Sequence, residues 1–222
     1  MEAYIYDAVR TVRGKGNKKG ALMGTTPVEL TRQVLQNLKE KNDLDTTKVE
    51  DLILGCVSQV KDQGVNIAKT AAQAAQYGDH LCGVSLNRFC GSGLEAVNQA
   101  AAYVKSGFSD LLIAGGVESM SRVPMGSDGG GPFLDPVLMM QDNIVPQGIS
   151  ADLIASKYGY SRADVDKFAY ESQMRATKAE KAGLFTSRIP VKDLSGINIL
   201  TTDENIRPST TVDSLGLSLI HI

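Results

Sequence analysis

Val84-Ser85-Leu86-Asn87-Arg88-Phe89-Cys90-Gly91-Ser92-Gly93-Leu94-Glu95-Ala96-Val97 is the stretch on which the reading of this chain turns. Its first residues close a short apolar run of strand type, Gly91 and Gly93 punctuate a tight turn, and from Ser92 the pattern is helical. Cys90 sits at the turn. Glycine there removes side chains where the backbone must bend or where a substrate must come close. A thiol at a helix N-terminus meets the positive end of the dipole, which favours a thiolate, and N–H groups without helical partners, which can stabilise an oxyanion. That is the plan of a nucleophile elbow with sulfur in place of a hydroxyl. The plainer reading is that a lone Cys in a Gly-rich turn is a small packed residue. Spacing by itself leaves both open.

Outward from this turn, strand-like and helix-like segments alternate. Ala3–Ala8 reads as a short apolar strand, followed by a Gly- and Lys-rich loop over Arg13–Gly20. Thr26-Pro27-Val28-Glu29 opens a helix: Thr26 suits the N-cap, Pro27 the first helical position and Glu29 the acidic place of a capping box. Leu30, Val34, Leu35 and Leu38 then recur at helical spacing. Asp51–Val57 reads as a buried strand, Asn66–Tyr77 as an Ala-rich helix and Gly83–Leu86 as a strand. Ser92–Lys105 is a helix closed by Gly107, and Asp110–Ala114 is a strand stopped by Gly115-Gly116. This rhythm predicts an α/β fold with a mostly parallel sheet covered by helices. Ser121–Pro146, rich in Pro, Gly and Met, reads as a long excursion without regular structure, of the kind that often carries function. Beyond it, Ser161 caps a helix over Ala163–Ala182 closed by Gly183. Leu184–Val191 is extended, and Asp203–Ser214 is again loop.

Composition narrows the class. With 222 residues, 42% of them hydrophobic, and a formal net charge of −2, the chain suits one or two globular domains and shows no basic bias towards nucleic acid or anionic membrane. No apolar run approaches a membrane span, and Met1–Asp7 has neither signal-peptide nor transit-peptide character, so the cytoplasm is the expected location. Three cysteines, Cys56, Cys82 and Cys90, form neither a disulfide framework nor a metal-ligand pattern, and two histidines, His80 and His221, exclude a His-rich metal cage. Cys56 lies inside an apolar strand and Cys82 just before one, so both read as packing residues.

Asn87-Arg88-Phe89-Cys90-Gly91-Ser92-Gly93 with Leu94–Val97 resembles the nucleophile signature of the thiolases. Other blocks resemble the family in the same order: Ala8-Val9-Arg10-Thr11, Gly64–Ala75, Ala114-Gly115-Gly116-Val117-Glu118-Ser119-Met120-Ser121, Asp166–Gln173, and Asp203-Glu204 with Arg207–Thr211. The resemblance implies the layered αβαβα thiolase fold. Residues 1–120 correspond to the N-terminal catalytic domain and 121–216 to an inserted CoA-binding loop domain. It also implies an acyltransferase in which Cys90 takes an acyl group from acyl-CoA as a thioester. The acyl group then passes to the carbanion of acetyl-CoA or, in reverse, to free CoA. Coenzyme A thioesters are then substrates, with no resident cofactor and no metal. Arg207 and Ser214 match family positions near the nucleotide end of CoA, and Arg207 suits phosphate or adenine; a solvated loop residue is the plain alternative for each. Homodimers or homotetramers are implied for a full-length member.

The family's second half supplies a His in a Gly-His-Pro motif, a second Cys in a Cys-x-Gly-type loop and an Asn-Glu-containing motif, and none of these motifs occurs here. Residues 217–222 leave the family pattern and match an in-frame reading of a sequencing-adapter end, so the natural protein is expected to continue with the missing C-terminal half. The 222-residue chain alone is expected to be poorly soluble and without thiolase turnover. A β-ketoacyl synthase shares the fold and a Cys nucleophile but lacks the Gly-Gly-x-Glu-x-Met-Ser block. A non-catalytic CoA- or lipid-binding relative, which has no need of the Cys90 sulfur, and a short interaction protein are the alternatives from other classes.

Overall fold

Asp51-Leu52-Ile53-Leu54-Gly55 is apolar after its first residue, and a strand that is apolar on both faces belongs in the middle of a covered sheet. It takes that place in the computed structural model, which describes residues 2–141 and 144–217, the side chains of 132 and 133 excepted. The expected non-native tail, His221 included, therefore lies outside the described residues, save for Leu217. Along the chain run β1 (Arg10–Thr11), α1 (Pro27–Lys41), β2 (Asp51–Gly55), α2 (Ile67–Ala74), β3 (Cys82–Leu86), α3 (Ser92–Ser106) and β4 (Leu112–Gly116). After them come α4 (Gly131–Leu134), α5 (Pro136–Gln141), α6 (Gln147–Tyr158), α7 (Arg162–Lys181), β5 (Arg188–Ile189), β6 (Val191–Lys192), β7 (Asn198–Leu200) and α8 (Val212–Gly216).

The main sheet has the order β3-β2-β4, and both pairings are parallel. Leu52, Leu54, Ala68, Ala71, Ala72, Leu35 and Tyr77 form its principal core. Thr26 caps α1 by accepting from the Glu29 N–H at 3.1 Å, with Pro27 at the first position. Glu29 does not complete a capping box; its carboxylate turns to Arg32 and Gln33. Asn66 caps α2, which ends sooner than the Ala-rich pattern suggests because Gln76 takes φ +57° and the Tyr77 N–H turns back to Ala72. Gly107, at φ +76°, closes α3 in the left-handed conformation that favours glycine.

The chain divides into two compact units. The first comprises the residues up to Asp128 together with Ser187–Glu204, and the second comprises Gly129–Thr186 and the residues from Asn205. Ser187–Glu204, which the sequence reading kept with the loop domain, joins the first unit because β5 pairs parallel with β1 and because Asp203 and Glu204 bind Arg10, Arg13, Lys15 and Ala21. In the second unit, Ser161 and Asp164 form a full capping box at the start of α7. The side chain of Arg162 reaches the Leu215 carbonyl of α8 at 2.5 Å.

Three local expectations change. Ala3–Ala8 forms no strand, and Tyr4, Ile5 and Tyr6 are 73, 79 and 86% exposed, since no described strand pairs with them. β4 runs through Gly115 and Gly116 instead of stopping before them, because Gly116 stands opposite Gly55 in the ladder. The excursion after Ser121 contains the short helices α4 and α5; the Asp135 carboxylate accepts from the Val137 N–H at 2.9 Å at the head of the second. No described helix is long and apolar enough to cross a membrane.

Candidate active site

β3 delivers Asn87–Cys90 at its carboxyl end, and a knot of short bonds shapes the turn. The Asn87 Oδ1 accepts from the Phe89 N–H at 2.8 Å, an Asx turn. Phe89 takes φ +47°, a conformation that a bulky side chain adopts only when its surroundings hold it there. The buried Ser92 hydroxyl accepts from the Arg88 N–H at 2.9 Å and donates to the Phe89 carbonyl at 2.6 Å. The N–H groups of Gly91 and Ser92 close back onto Arg88 and Phe89 at 3.1 and 3.0 Å. Cys90 emerges exposed, flanked by the exposed Phe89 and Leu94. At the second and third positions of α3, the N–H groups of Gly93 and Leu94 have no acceptor among the described residues. N–H groups without a helical partner at a helix start are donors of the kind that can stabilise an anion.

Glycine sets how closely α3 sits on the sheet. A Cβ on Gly55 would lie 2.3 Å from the Ser92 carbonyl carbon and 2.5 Å from the Gly93 nitrogen. A Cβ on Gly116 would meet the Gly55 oxygen at 2.9 Å and the Gly93 Cα at 3.4 Å. The last residues of β2 and β4 are thus the floor on which the helix N-terminus rests. In a parallel sheet the loops that follow the strands gather at the carboxyl ends, the usual position of a ligand crevice.

Two of those loops are tied together by Glu118 and Gln63. The Glu118 carboxylate accepts from the N–H groups of Val57 at 2.8 Å and Ser58 at 3.4 Å, and from the Gln63 amide at 2.7 Å. Gln63 is fully buried; its amide also donates to the Ser58 carbonyl at 2.9 Å and accepts from the Ser119 N–H at 2.5 Å. In the sequence Glu118 stands out only as part of the Ala114–Ser121 block, and nothing marks Gln63, whose setting in a polar loop gives no sign of burial. The available signal was an acidic residue two places beyond a Gly-Gly that ends a strand.

Cys56 is buried at the end of β2. Burial pushes its thiol up to about 12, with the carboxylates of Glu118 and Asp128 adding to the effect, so it is a packing residue. Cys82, expected to pack as well, is exposed because it opens an edge strand. His80 is exposed at the opposite end of β3 from Cys90, with its Nε2 3.2 Å from the Thr46 carbonyl. Among the described residues, no group of three His, Cys, Asp or Glu side chains comes together to hold a metal.

Arg207 and Ser214 lie in the second unit, and Cys90 in the first. Arg207 is exposed, its backbone N–H donating to the Gln173 side chain at 2.8 Å and its carbonyl accepting from the Thr210 hydroxyl at 2.9 Å. The Ser214 hydroxyl is engaged in a capping box: it donates to the Thr211 carbonyl at 2.8 Å and accepts from the Thr211 N–H at 3.0 Å.

A parallel α/β sheet with an exposed thiol at a strand-to-helix turn is the architecture in which the resemblance places the chain among the thiolases. Residues 3–219 match the family model described as thiolase, N-terminal domain, and the chain belongs to the thiolase family. It is 36% identical to a β-ketoadipyl-CoA thiolase of Pseudomonas knackmussii over 96% of this chain and 58% of that protein. It is 35% identical to a 3-ketoacyl-CoA thiolase of Psychrobacter over 96% of this chain and 55% of that protein. A crystal structure of the Bacillus anthracis acetyl-CoA acetyltransferase superposes with a TM-score of 0.81 at 30% identity, over 97% of this chain and 57% of the other. The chain therefore spans little more than half the length of the proteins it matches.

Proposed function

We propose that these residues are the N-terminal part of an acyl-CoA acyltransferase of thiolase type, with Cys90 as its nucleophile. The Cys90 sulfur attacks the carbonyl carbon of an acyl-CoA. The carbon–sulfur bond to CoA breaks, and the departing CoA sulfur takes up the proton that the Cys90 thiol gave up. The Cys90 thioester then meets either the Cα carbanion of acetyl-CoA, forming a carbon–carbon bond and releasing the Cys90 thiolate, or free CoA in the reverse sense. The free N–H groups of Gly93 and Leu94, close to Cys90 in sequence, support this reading, since such donors can stabilise the oxyanion of either step. The Cα proton needs a base that the Cys90 turn does not supply. The reading assigns that base to the portion of the family's length that these residues do not span. Arg207 is taken as a contact for the nucleotide end of CoA, whereas Ser214 acts through the shape of its loop. A cytoplasmic homo-oligomer belongs to the same reading.

The observation that carries it is the exposed Cys90 sulfur, held by the Asn87–Phe89–Ser92 knot directly before a helix with two free N–H groups. The test uses the gene product at the full length of its relatives. Incubated with acetyl-CoA, it is expected to carry an acetyl group on the Cys90 peptide, labile to hydroxylamine and absent in Cys90→Ala. Absence of the adduct from the unaltered protein overturns the reading. Acylation only from a carrier protein moves the chain to the ketoacyl synthases.

A further inference from the structure

We propose that Gln63 and Glu118 are positioning residues for the Cys90 thiol, acting through Val57 and Asn87; the proposal rests on the reading of Cys90 as the nucleophile. The bonds form one continuous line. Gln63, fully buried in the loop that follows β2, donates to the Glu118 carboxylate at 2.7 Å and takes the Ser119 N–H of the loop after β4 at 2.5 Å. Glu118 takes the Val57 N–H at 2.8 Å. The carbonyl of the same residue, Val57, accepts the Asn87 amide at 3.2 Å, and the other end of that amide holds the Phe89 N–H at 2.8 Å. Phe89 is the residue at φ +47° immediately before Cys90.

Each link has a reason to be there. A buried glutamine is tolerated only when its amide is satisfied, and a satisfied buried network fixes one arrangement of the loops around it. A carboxylate that receives backbone N–H groups makes stronger bonds than a neutral acceptor. Asn87 has two opposed functions in one planar group, so a shift of Val57 is transmitted to Phe89. The strained backbone of Phe89 is held inside the turn by Asn87 and Ser92, and the Asn87 amide ties that knot to Val57 outside it. The loops after β2 and β4 therefore brace the loop after β3, and the direction of the Cys90 sulfur relative to the free N–H groups of Gly93 and Leu94 follows from that bracing.

The test compares the full-length protein with Glu118→Gln and Asn87→Ala, all in a Cys82→Ser background so that the second exposed thiol does not compete. The first readout is the rate of iodoacetamide alkylation at the Cys90 peptide, followed across the pH range in which a thiol titrates, beside the melting temperature. Removal of the Glu118 charge alone would make a nearby thiolate easier to form and speed the reaction. Loss of the brace slows it, and about a tenfold slowing is expected for both variants with kcat falling about 10- to 100-fold and KM unchanged. If Glu118→Gln also lowers the melting temperature, Asn87→Ala decides, because it lies at the surface end of the line. Wild-type alkylation rates in both variants overturn the proposal. An unaltered protein that alkylates readily and forms no acetyl thioester overturns the proposed function and leaves the brace standing.

Discussion

Arg10 grips Asp203 through two parallel bonds, Nη1 to Oδ1 at 2.9 Å and Nη2 to Oδ2 at 2.8 Å, across 193 residues of sequence. The same carboxylate takes the Arg13 N–H at 2.8 Å and faces Arg188 at 3.4 Å, with only 8% of its side chain exposed. Burial pushes the carboxyl up. The Arg10 pair, the Arg13 N–H and the Arg188 charge overcome that push and hold it at about 2, against an ordinary 3.8. A carboxyl lowered in the folded chain stabilises fully above its ordinary value and loses that stabilisation as the pH falls through its folded value. Asp203→Asn is therefore expected to cost about 2 kcal/mol at neutral pH. Denaturant melts should show the parental chain losing this difference between roughly pH 4 and pH 2, with the variant flat across that window as far as this group is concerned.

Gly55 is the position at which the sheet and the nucleophile helix come closest. A methyl group there would press on backbone atoms of Ser92 and Gly93, which cannot turn away as a side-chain end can. Gly55→Ala is expected to destabilise the fold by about 3 kcal/mol, at the upper end for an overpacked site. Because the displaced atoms start α3, the Cys90 peptide should also alkylate at an altered rate in whatever fraction remains folded. A melting temperature within a degree or two of the parent, with unchanged alkylation, would mean that α3 does not rest on β2 as described.

What was legible in the sequence was what local chemistry decides. Thr26, Ser161 and Gly107 mark helix ends because capping and left-handed closure depend on the residue itself. The strand, turn and helix around Cys90 were legible for the same reason. β4 was misjudged at its end because Gly-Gly reads as a stop, whereas the partner strand, with Gly55 opposite Gly116, carries the ladder through it. α6 gave no stripe: Ile149, Leu153 and Ile154 are all exposed. Gln63 illustrates the deeper limit, since its role exists only once the loops after two strands that lie far apart in sequence have been brought together.

Arg207 and Ser214, paired as candidates for binding CoA, are expected to separate on mutation. Arg207 is exposed, and its backbone rather than its side chain makes the local bonds, so Arg207→Ala should leave stability unchanged and raise KM for CoA substrates about tenfold, the effect of one lost charge-assisted bond. Ser214 spends its hydroxyl on both backbone groups of Thr211. Ser214→Ala should loosen the head of α8, costing at most about 1 kcal/mol, with a smaller change in KM. Steady-state kinetics of the full-length protein beside its melting curves separates the two. Equal effects on KM would assign Ser214 to the ligand as well.

Expressed as these 222 residues, the chain is expected to self-associate. Among the described residues β3 and β4 are the edge strands of the main sheet, and an edge strand offers unpaired backbone groups to another chain. Tyr4, Ile5 and Tyr6 are exposed beside no described strand, Phe89 and Leu94 stand 69 and 68% exposed around Cys90, and Leu153, Ile154 and Tyr158 are exposed on α6. Apolar residues scattered singly over a surface are ordinary, but runs and clusters of this kind are the ones that associate. Light scattering and sedimentation over a dilution series should give a mass above that of one chain at micromolar concentration, together with dye binding to exposed apolar surface. The full-length product should be free of that dye signal if its additional residues cover these clusters. A monodisperse monomer of the 222-residue chain with a single cooperative melt would show that these side chains tolerate water and that the first unit is stable with its sheet edges open.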